Sequence, residues 1–210
     1  MSWSDVAADL RQTWHRHNRS GRDFGFWSIA NYRVGRATGA SDNAVVRVVG
    51  SKLYGLCSVA LNVMAGMQVN REATIGAELR LVHGWNVKIH PAAVIGDRVG
   101  IMHDVTIGTT PESDGVATIG NDVFIGAGAR ILGPVRIGDR VRIAANSLVI
   151  TDVPAGGTAV GVPARVLFYT GRADAPSTPP VAAPKPPPQP VMTTTTTADA
   201  EISAEAAAAE

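Results

Sequence analysis

Apolar residues recur every six positions through the middle of the chain. One series runs Ile89, Ile95, Ile101, Ile107, Ile119, Ile125, Ile131, Ile137, Ile143 and Val149. A second series, small or apolar, lies two positions earlier: Val87, Ala93, Val99, Val105, Ala117, Val123, Ala129, Val135, Val141 and Ser147. Residues two apart in a strand point to the same face, and a glycine often follows the isoleucine, where the chain must turn tightly. The pattern predicts short strands joined by turns, which is typical of a parallel β-helix.

This six-residue pattern resembles the hexapeptide-repeat transferases. The resemblance implies a left-handed β-helix with three six-residue rungs in each coil, a handedness that is unusual for parallel crossovers. Residues 69–158 then correspond to fifteen rungs, or about five coils.

The repeat is interrupted at two places. Val69, Ile75 and Leu81 keep the six-residue step, but the next rung starts at Ile89, eight residues later. Two extra residues must therefore bulge out around residues 83–86. The second interruption, residues 109–116, replaces an apolar rung with turn-forming residues. Loops that leave a rigid scaffold are where binding and catalysis concentrate.

Counting rungs across the first bulge predicts which side chains stack. His83 and His103 each lie two residues past the anchor of their rung, one full coil apart. We expect them on adjacent coils, about 4.8 Å apart along the axis. The same count places Asn121 above them if the loop takes the place of one rung. His90 lies one residue past its anchor on another rung, and we expect it elsewhere.

A histidine at such a bulge is a candidate general base, because an imidazole titrates near neutral pH. His83 and His103 are the candidate catalytic residues, and the alternative for each is a structural imidazole that bonds a loop carbonyl. We expect no metal site, since no carboxylate or thiolate follows at a matching spacing. Cys57 lies in an apolar helical stretch and is expected in the core.

Residues 1–66 are predicted to be helical. Ser4 or Asp5 is a candidate N-cap for a helix that runs to about residue 17. Asp23 can cap a second helix after a polar break at residues 18–22, and a third helix covers about residues 43–64. We therefore expect an α-helical region at 1–66 and a β-helix domain at 67–168.

Residues 169–210 are predicted to be a disordered tail. Residues 175–210 hold eight of the thirteen prolines, a run of five threonines and an alanine-glutamate end. Such a composition buries too little apolar surface to offset the entropy of ordering. The tail has a net charge of −3, which leaves about +4 on residues 1–174. That mild positive charge suits an anionic small molecule.

Composition excludes several classes of protein. The net charge of +1 argues against a nucleic-acid binder, and a single cysteine rules out an internal disulfide framework. The most apolar stretch, residues 53–66, is shorter than the ~20 residues of a membrane span. The first residues show no signal peptide, so we expect a cytoplasmic protein without a membrane span.

Three stretches are similar to the serine acetyltransferase group of this superfamily: residues 81–108, 125–133 and 161–165. The resemblance implies that His83 deprotonates an acceptor hydroxyl, which attacks the acetyl-CoA thioester directly. It also implies a homotrimer in which CoA lies between neighbouring β-helices. The residues expected along CoA are Gly126, Ala127, Gly128, Ala129, Arg130, Gly161, Pro163, Ala164 and Arg165. The residues expected near the acceptor are Trp85, Asn86, Asp104 and Asp114.

The chain also departs from the serine enzymes. Val82 stands where they have an aspartate, and their second histidine would fall near Val116. The aspartate that orients their base would fall near Gln68, so that Asp104, Asp114 or His103 must orient His83 here. His103 stands where they commonly have glutamine, and histidine there is more like the capsule and exopolysaccharide O-acetyltransferases. We expect serine as the acceptor; the alternatives are a polysaccharide sugar and a non-catalytic scaffold.

Overall fold

The computed structural model describes residues 3–17, 23–111 and 113–168. Three helices come first: α1 (Trp3–Arg16), α2 (Phe24–Gly39) and α3 (Ala44–Ala65). Asp23 caps α2, as predicted, by accepting a hydrogen bond from the Gly25 N–H, and Asn43 caps α3. The predicted cap of α1 is wrong, because Ser4 and Asp5 both lie inside the helix.

Fifteen short strands follow in the described part of the chain. They are β1 (Gln68–Val69), β2 (Thr74–Ile75), β3 (Arg80–Val82), β4 (Lys88–Ile89), β5 (Val94–Ile95), β6 (Gly100–Met102), β7 (Thr106–Gly108), β8 (Thr118–Ile119), β9 (Phe124–Ile125), β10 (Arg130–Leu132), β11 (Arg136–Ile137), β12 (Arg142–Ile143), β13 (Leu148–Val149), β14 (Thr158–Val160) and β15 (Arg165–Leu167).

The strands form three parallel sheets, one on each side of a left-handed β-helix of about five coils. Sheet A has the order β1-β4-β7-β10-β13, sheet B the order β11-β8-β5-β2, and sheet C the order β15-β14-β12-β9-β6-β3. A regular coil takes 18 residues, as between Lys88 and Thr106. The last strand, β15, runs antiparallel to β14.

Both interruptions of the repeat are insertions into this regular coil. Leu81 pairs with Ile101, 20 residues later, because the first bulge adds two residues. Thr106 pairs with Arg130, 24 residues later, because the loop at residues 109–116 adds six. The loop therefore protrudes between β7 and β8 and does not occupy a rung.

The periodic residues fill the interior of the β-helix. All ten members of the isoleucine-containing series are at most 3% exposed, and the series two positions earlier is buried as well. The six-residue pattern thus gives the core correctly. Ser147, the one hydroxyl among these residues, accepts a hydrogen bond from the N–H of Gly161.

Most of the glycines that follow the isoleucines serve close packing and not a special backbone conformation. Arg98 and Asp122, among other polar residues, have the positive φ angles of the turns. A Cβ on Gly96 would lie 2.7 Å from the carbonyl oxygen of Gly120 on the next coil. Successive coils approach each other there too closely for a side chain.

Side chains of the helices satisfy the free backbone groups of the first coil. The Tyr32 hydroxyl donates to the carbonyl of Ala73 and accepts from the N–H of Ile75. Arg33 donates to the carbonyl of Ile75 and pairs with Asp9 at 2.7 Å. This ion pair is almost fully buried, so the helical region and the first coil are joined by polar contacts as well as by apolar packing.

Two predictions about α3 are wrong. Cys57 is exposed and does not lie in the core. The apolar stretch is also longer than the sequence pattern indicated, because α3 begins at Ala44: among the described residues it is the one helix long and apolar enough to cross a membrane. The predicted break at residues 18–22 and the predicted tail at 169–210 lie outside the described residues.

Candidate active site

One edge of the β-helix, between sheets C and A, carries most of the candidate residues. Leu81, Ile101 and Ile125 are paired in successive coils of sheet C, and Ile143 and Ala159 continue the column. The segments that leave these strands toward sheet A therefore lie one above another. We call this column the histidine edge; its segments are residues 83–86, 103–104, 126–129, 144–147 and 161–164.

His83 stands on a bulge that the backbone holds in a rare conformation. Its φ is +53°, in the left-handed region that few residues other than glycine adopt, and its side chain is exposed. At Gly84 a Cβ would lie 2.4 Å from the backbone of Gly25 in the first turn of α2. Only a glycine at position 84 permits this contact between helix and bulge. The contact with α2 therefore fixes the position of the bulge that carries His83.

Hydrogen bonds from backbone N–H groups hold the bulge on both sides. The N–H of Leu81 donates to Nε2 of the buried His17, and the N–H of Asn86 donates to the carbonyl of Ala65 at 2.7 Å. The carbonyl of Trp85 accepts from the N–H of Asp104 on the next coil. The Trp85 indole is 55% exposed. The exposed indole therefore lies on the same bulge as the exposed imidazole.

His103 lies directly above His83, as the rung count predicts. The two ring centroids are 6.4 Å apart and the rings are inclined by 64°. Nδ1 of His103 is buried, and no described residue is its hydrogen-bond partner. The carbonyl of His103 accepts from the N–H of Gly128 at 3.1 Å, which ties the second coil to the third.

Asp104 is engaged in a network that the sequence pattern did not reveal. Its carboxylate accepts a hydrogen bond from Asn86 at 2.6 Å and pairs with Arg130 at 3.3 Å. These three residues belong to three successive coils, which is why their contact depends on the register. The carboxylate of Asp104 therefore bonds its neighbours along the edge, and the structure shows no bond from it to His83.

The residues expected along CoA lie on the same edge. Residues 126–129 form the segment above His103, and Arg130 begins β10 beside them. Gly161 bonds Leu148 and Ser147 of the coil below. Pro163 follows a cis peptide bond, Ala164 donates to the carbonyl of Leu148, and Arg165 is exposed at the start of β15. From the coil of His83 to that of Gly161 the edge extends about 19 Å, at ~4.8 Å for each coil.

Two predicted positions are elsewhere. Asn121 does not lie above the histidines; it follows β8 of sheet B and bonds Asp97 and Asp139 on that edge. The reason is that the loop at residues 109–116 is an insertion, which leaves Ala127 above His103. Asp114 is exposed in that loop, which leaves sheet A on the side away from the histidine edge.

His90 also lies elsewhere, as expected. Its Nδ1 accepts a hydrogen bond from the N–H of Ala92 at the edge between sheets A and B. It lines a cleft of about 620 Å³ between α2, α3 and sheet A, together with Asn31, Gln68 and Lys88. None of the lining residues belongs to the histidine edge. No six-residue pattern marks this cleft, because α2 and α3 supply part of its wall.

The described residues contain no group of three or more His, Cys, Asp or Glu side chains arranged to hold a metal ion. The groups on the histidine edge include two imidazoles, one paired carboxylate, the guanidinium that pairs with it, an indole, side-chain amides and backbone amides. Such a set can move a proton and bind a polar substrate.

The family model for the bacterial transferase hexapeptide (six repeats) matches residues 117–151. A serine acetyltransferase of Helicobacter pylori (strain J99) is 43% identical over 106 residues, which is 50% of this chain and 62% of that protein. The soybean serine acetyltransferase apoenzyme is 31% identical with a TM-score of 0.63, covering 78% of this chain and 68% of that one.

A serine acetyltransferase in complex with CoA is 28% identical with a TM-score of 0.62, covering 77% of this chain and 68% of that one. Curated relatives are longer than the region they share with this chain. The chain spans 48% of the length of the Synechococcus elongatus enzyme and 62% of that of the Helicobacter pylori enzyme.

Proposed function

Because the chain belongs to the serine acetyltransferase group of the hexapeptide-repeat acyltransferases, we propose that it is an acetyl-CoA-dependent O-acetyltransferase with serine as acceptor. The proposal places it in cysteine biosynthesis in the cytoplasm. The observation that carries it is the pair of imidazoles on adjacent coils, with His83 exposed on a strained bulge and His103 6.4 Å above it.

In the proposed reaction, His83 takes the proton from the acceptor hydroxyl while the hydroxyl oxygen attacks the thioester carbonyl of acetyl-CoA. Backbone N–H groups stabilise the oxyanion of the tetrahedral intermediate. The intermediate collapses when the C–S bond breaks, and the leaving thiolate accepts the proton that His83 holds. The products are the O-acetylated acceptor and CoA, and no acyl-enzyme forms.

His103 is the residue we propose to position His83 and the hydroxyl. Two of the three candidates for this role are less suitable. Asp104 is bonded to Asn86 and Arg130, and Asp114 lies in the loop between sheets A and B, away from the histidine edge. His103 contacts the ring of His83, and its buried Nδ1 has no partner among the described residues. A buried polar atom without a partner is costly, so a substrate group or a second subunit is expected to satisfy it.

Acetyl-CoA is proposed to lie along the histidine edge, with residues 126–130 and 161–165 as its contacts. Both segments lie in or next to the column of the imidazoles, and they hold two guanidinium groups: that of Arg165 and that of Arg130, which is paired with Asp104. The matching serine acetyltransferase in complex with CoA supports this ligand. We propose a homotrimer, in which a neighbouring subunit closes the other side of the groove.

A sugar hydroxyl is the second candidate acceptor. The exposed Trp85 indole, on the same bulge as His83, offers a flat apolar face against which a sugar ring can pack. Among the described residues, the one carboxylate of the edge, Asp104, is engaged by Arg130. An amino acid needs partners for both its ammonium and its carboxylate, whereas a sugar does not.

The test is release of free thiol from acetyl-CoA by the purified protein, with L-serine and then with a panel of oligosaccharides. His83→Ala is expected to lower turnover by at least about 100-fold, the contribution of a general base. His90→Ala is the matched control, since His90 lies on another edge, and should keep wild-type turnover. Full activity in His83→Ala contradicts the proposed base. Absence of thiol release with every acceptor, together with absence of CoA binding, favours a non-catalytic scaffold.

A further inference from the structure

Asp104 lies where the two histidine-bearing segments meet. It follows His103 directly, and its φ of +57° is in the left-handed region. The strand register places it one coil above Asn86, the last residue of the bulge that carries His83, and Asn86 is left-handed as well, with a φ of +49°. Asparagine, aspartate and glycine all adopt this conformation readily. The backbone alone therefore does not explain why an aspartate stands at this position.

Every polar group of Asp104 contacts a neighbouring coil. Its N–H donates to the carbonyl of Trp85 at 2.9 Å, and its carboxylate accepts from Nδ2 of Asn86 at 2.6 Å. Both partners belong to the bulge of His83. From the coil above, Arg130 donates to the carbonyl and to the carboxylate of Asp104. An asparagine would offer Arg130 one oxygen and no charge, so the carboxylate suits this junction better.

The guanidinium of Arg130 is directed at the protein. Besides the two groups of Asp104, its Nη1 donates to the carbonyl of Gly128 at 3.3 Å. Arg165, further along the expected CoA groove, is exposed. We therefore expect the loss of the Arg130 guanidinium to affect kcat more than the KM for acetyl-CoA.

This network has a local effect and not a global one. The side chains of Asp104 and Arg130 are 42% and 40% exposed, and ion pairs this exposed add little to the free energy of unfolding. The network nevertheless joins the end of one histidine-bearing bulge to the residue that follows the second histidine. A displacement of about 1 Å at a reacting group can lower a rate about 100-fold. Contacts that contribute little to folding can thus be decisive for turnover.

We propose that Asp104 is a positioning residue that ties the bulge of His83 to the turn of His103, and that Arg130 holds Asp104 in place. The two imidazoles are thereby fixed relative to each other, so that His103 can act on His83. Asp104 works through the backbone of both segments and not on the imidazoles directly. The inference rests on the proposed function, because it concerns how the proposed base is presented.

The first test is the steady-state kinetics of thiol release with the acceptor that supports turnover. Glycine adopts the left-handed conformation without strain, so Asp104→Gly removes the side chain and keeps the backbone. It is expected to lower kcat about 30-fold, with the KM for acetyl-CoA within about twofold of wild type. Asn86→Gly should have a similar effect. The double variant should lose no more than Asp104→Gly alone, because both changes remove the same contact.

Two further variants make the test specific. Arg130→Met should lower kcat about tenfold, since Asp104 then loses its support from the coil above. Asp122→Gly is the matched control. Asp122 has the same φ of +57°, is 44% exposed and pairs with Arg98 at 2.7 Å, but it lies on the edge between sheets B and C. This variant should keep wild-type kcat, and all variants should unfold close to the urea concentration of wild type.

The second test does not depend on turnover. In protein labelled with ¹³C-histidine, the NMR signals of the imidazoles are assigned from the His83→Ala, His90→Ala and His103→Ala variants. Asn86→Gly, which changes no charge, and Asp104→Gly should both shift the signal of His83 and leave that of His90 in place. Asp122→Gly should shift neither signal.

The proposal is overturned if Asp104→Gly keeps wild-type kcat, if the losses of Asp104→Gly and Asn86→Gly multiply in the double variant, or if the His83 signal does not move. It is also overturned for Arg130 if Arg130→Met raises the KM for acetyl-CoA and keeps kcat, since the guanidinium then serves CoA. If the wild-type protein releases no thiol with any acceptor, the proposed function fails, and the NMR signals alone decide whether Asp104 positions the imidazoles.

Discussion

Tyr32→Phe isolates a single hydrogen-bonding group between the helices and the β-helix. The Tyr32 ring is 1% exposed, and phenylalanine keeps its shape and its contact with Arg33. The carbonyl of Ala73 loses the hydroxyl but keeps Arg36, which donates to it at 2.6 Å. The N–H of Ile75 loses its acceptor at 3.1 Å in a buried place. One orphaned buried N–H costs about 1–3 kcal/mol, so the free energy of unfolding should fall by that amount.

Equilibrium unfolding in urea, followed by tryptophan fluorescence at one protein concentration, measures this change. The concentration is fixed because assembly contributes to stability. Tyr54→Phe is the control: its hydroxyl accepts from the N–H of Arg71 at 2.9 Å, but Tyr54 is only half-buried and water can replace it. Its cost should stay below about 1 kcal/mol. If Tyr32→Phe unfolds at the same urea concentration as wild type, the hydroxyl does not cap the first coil as argued.

Gly84→Ala should lower turnover about 100-fold, since a Cβ 2.4 Å from Gly25 displaces the bulge that carries His83. The control is Gly55→Ala, where a Cβ meets nothing within 4 Å; it should keep wild-type activity and stabilise α3 by up to about 1 kcal/mol. If the Gly84→Ala and Gly55→Ala variants are equally active, the position of the bulge does not matter for turnover. Arg33→Met should cost about 3–5 kcal/mol by urea unfolding, because it leaves Asp9 as a buried unpaired charge. A loss under 1 kcal/mol would mean that water or a rearrangement compensates Asp9.

The register of the two histidines was predictable because the bulge changes the phase of the repeat. Ile89 follows Leu81 by eight residues, so two residues must leave the coil there. The second loop gives no such signal. Ile119 follows Ile107 by twelve residues, a multiple of six, so a protruding loop and an irregular rung have the same spacing. The predicted position of Asn121 was wrong for that reason.

The contacts of the candidate site were less predictable than its position. The pairing of Asp104 with Arg130 joins residues 26 apart, and that separation follows only when the loop is known to be an insertion. Cys57 shows a second limit. The sequence of an apolar helix does not show whether another element covers it. In the described chain, nothing covers the face of α3 on which Cys57 lies.

The first coil of the β-helix and the last coil of sheet C are terminated by different means, and this limits the addition of further parallel strands there. A stack of parallel coils ends in unpaired backbone groups at each end, which are templates for end-to-end polymerisation. At the first coil, side chains of α1 and α2 occupy those groups. At the last coil, β15 reverses direction, so a parallel strand from another molecule finds no matching continuation in sheet C. Sheet C therefore offers no parallel continuation at its last coil, although every internal coil is built to stack on another like it.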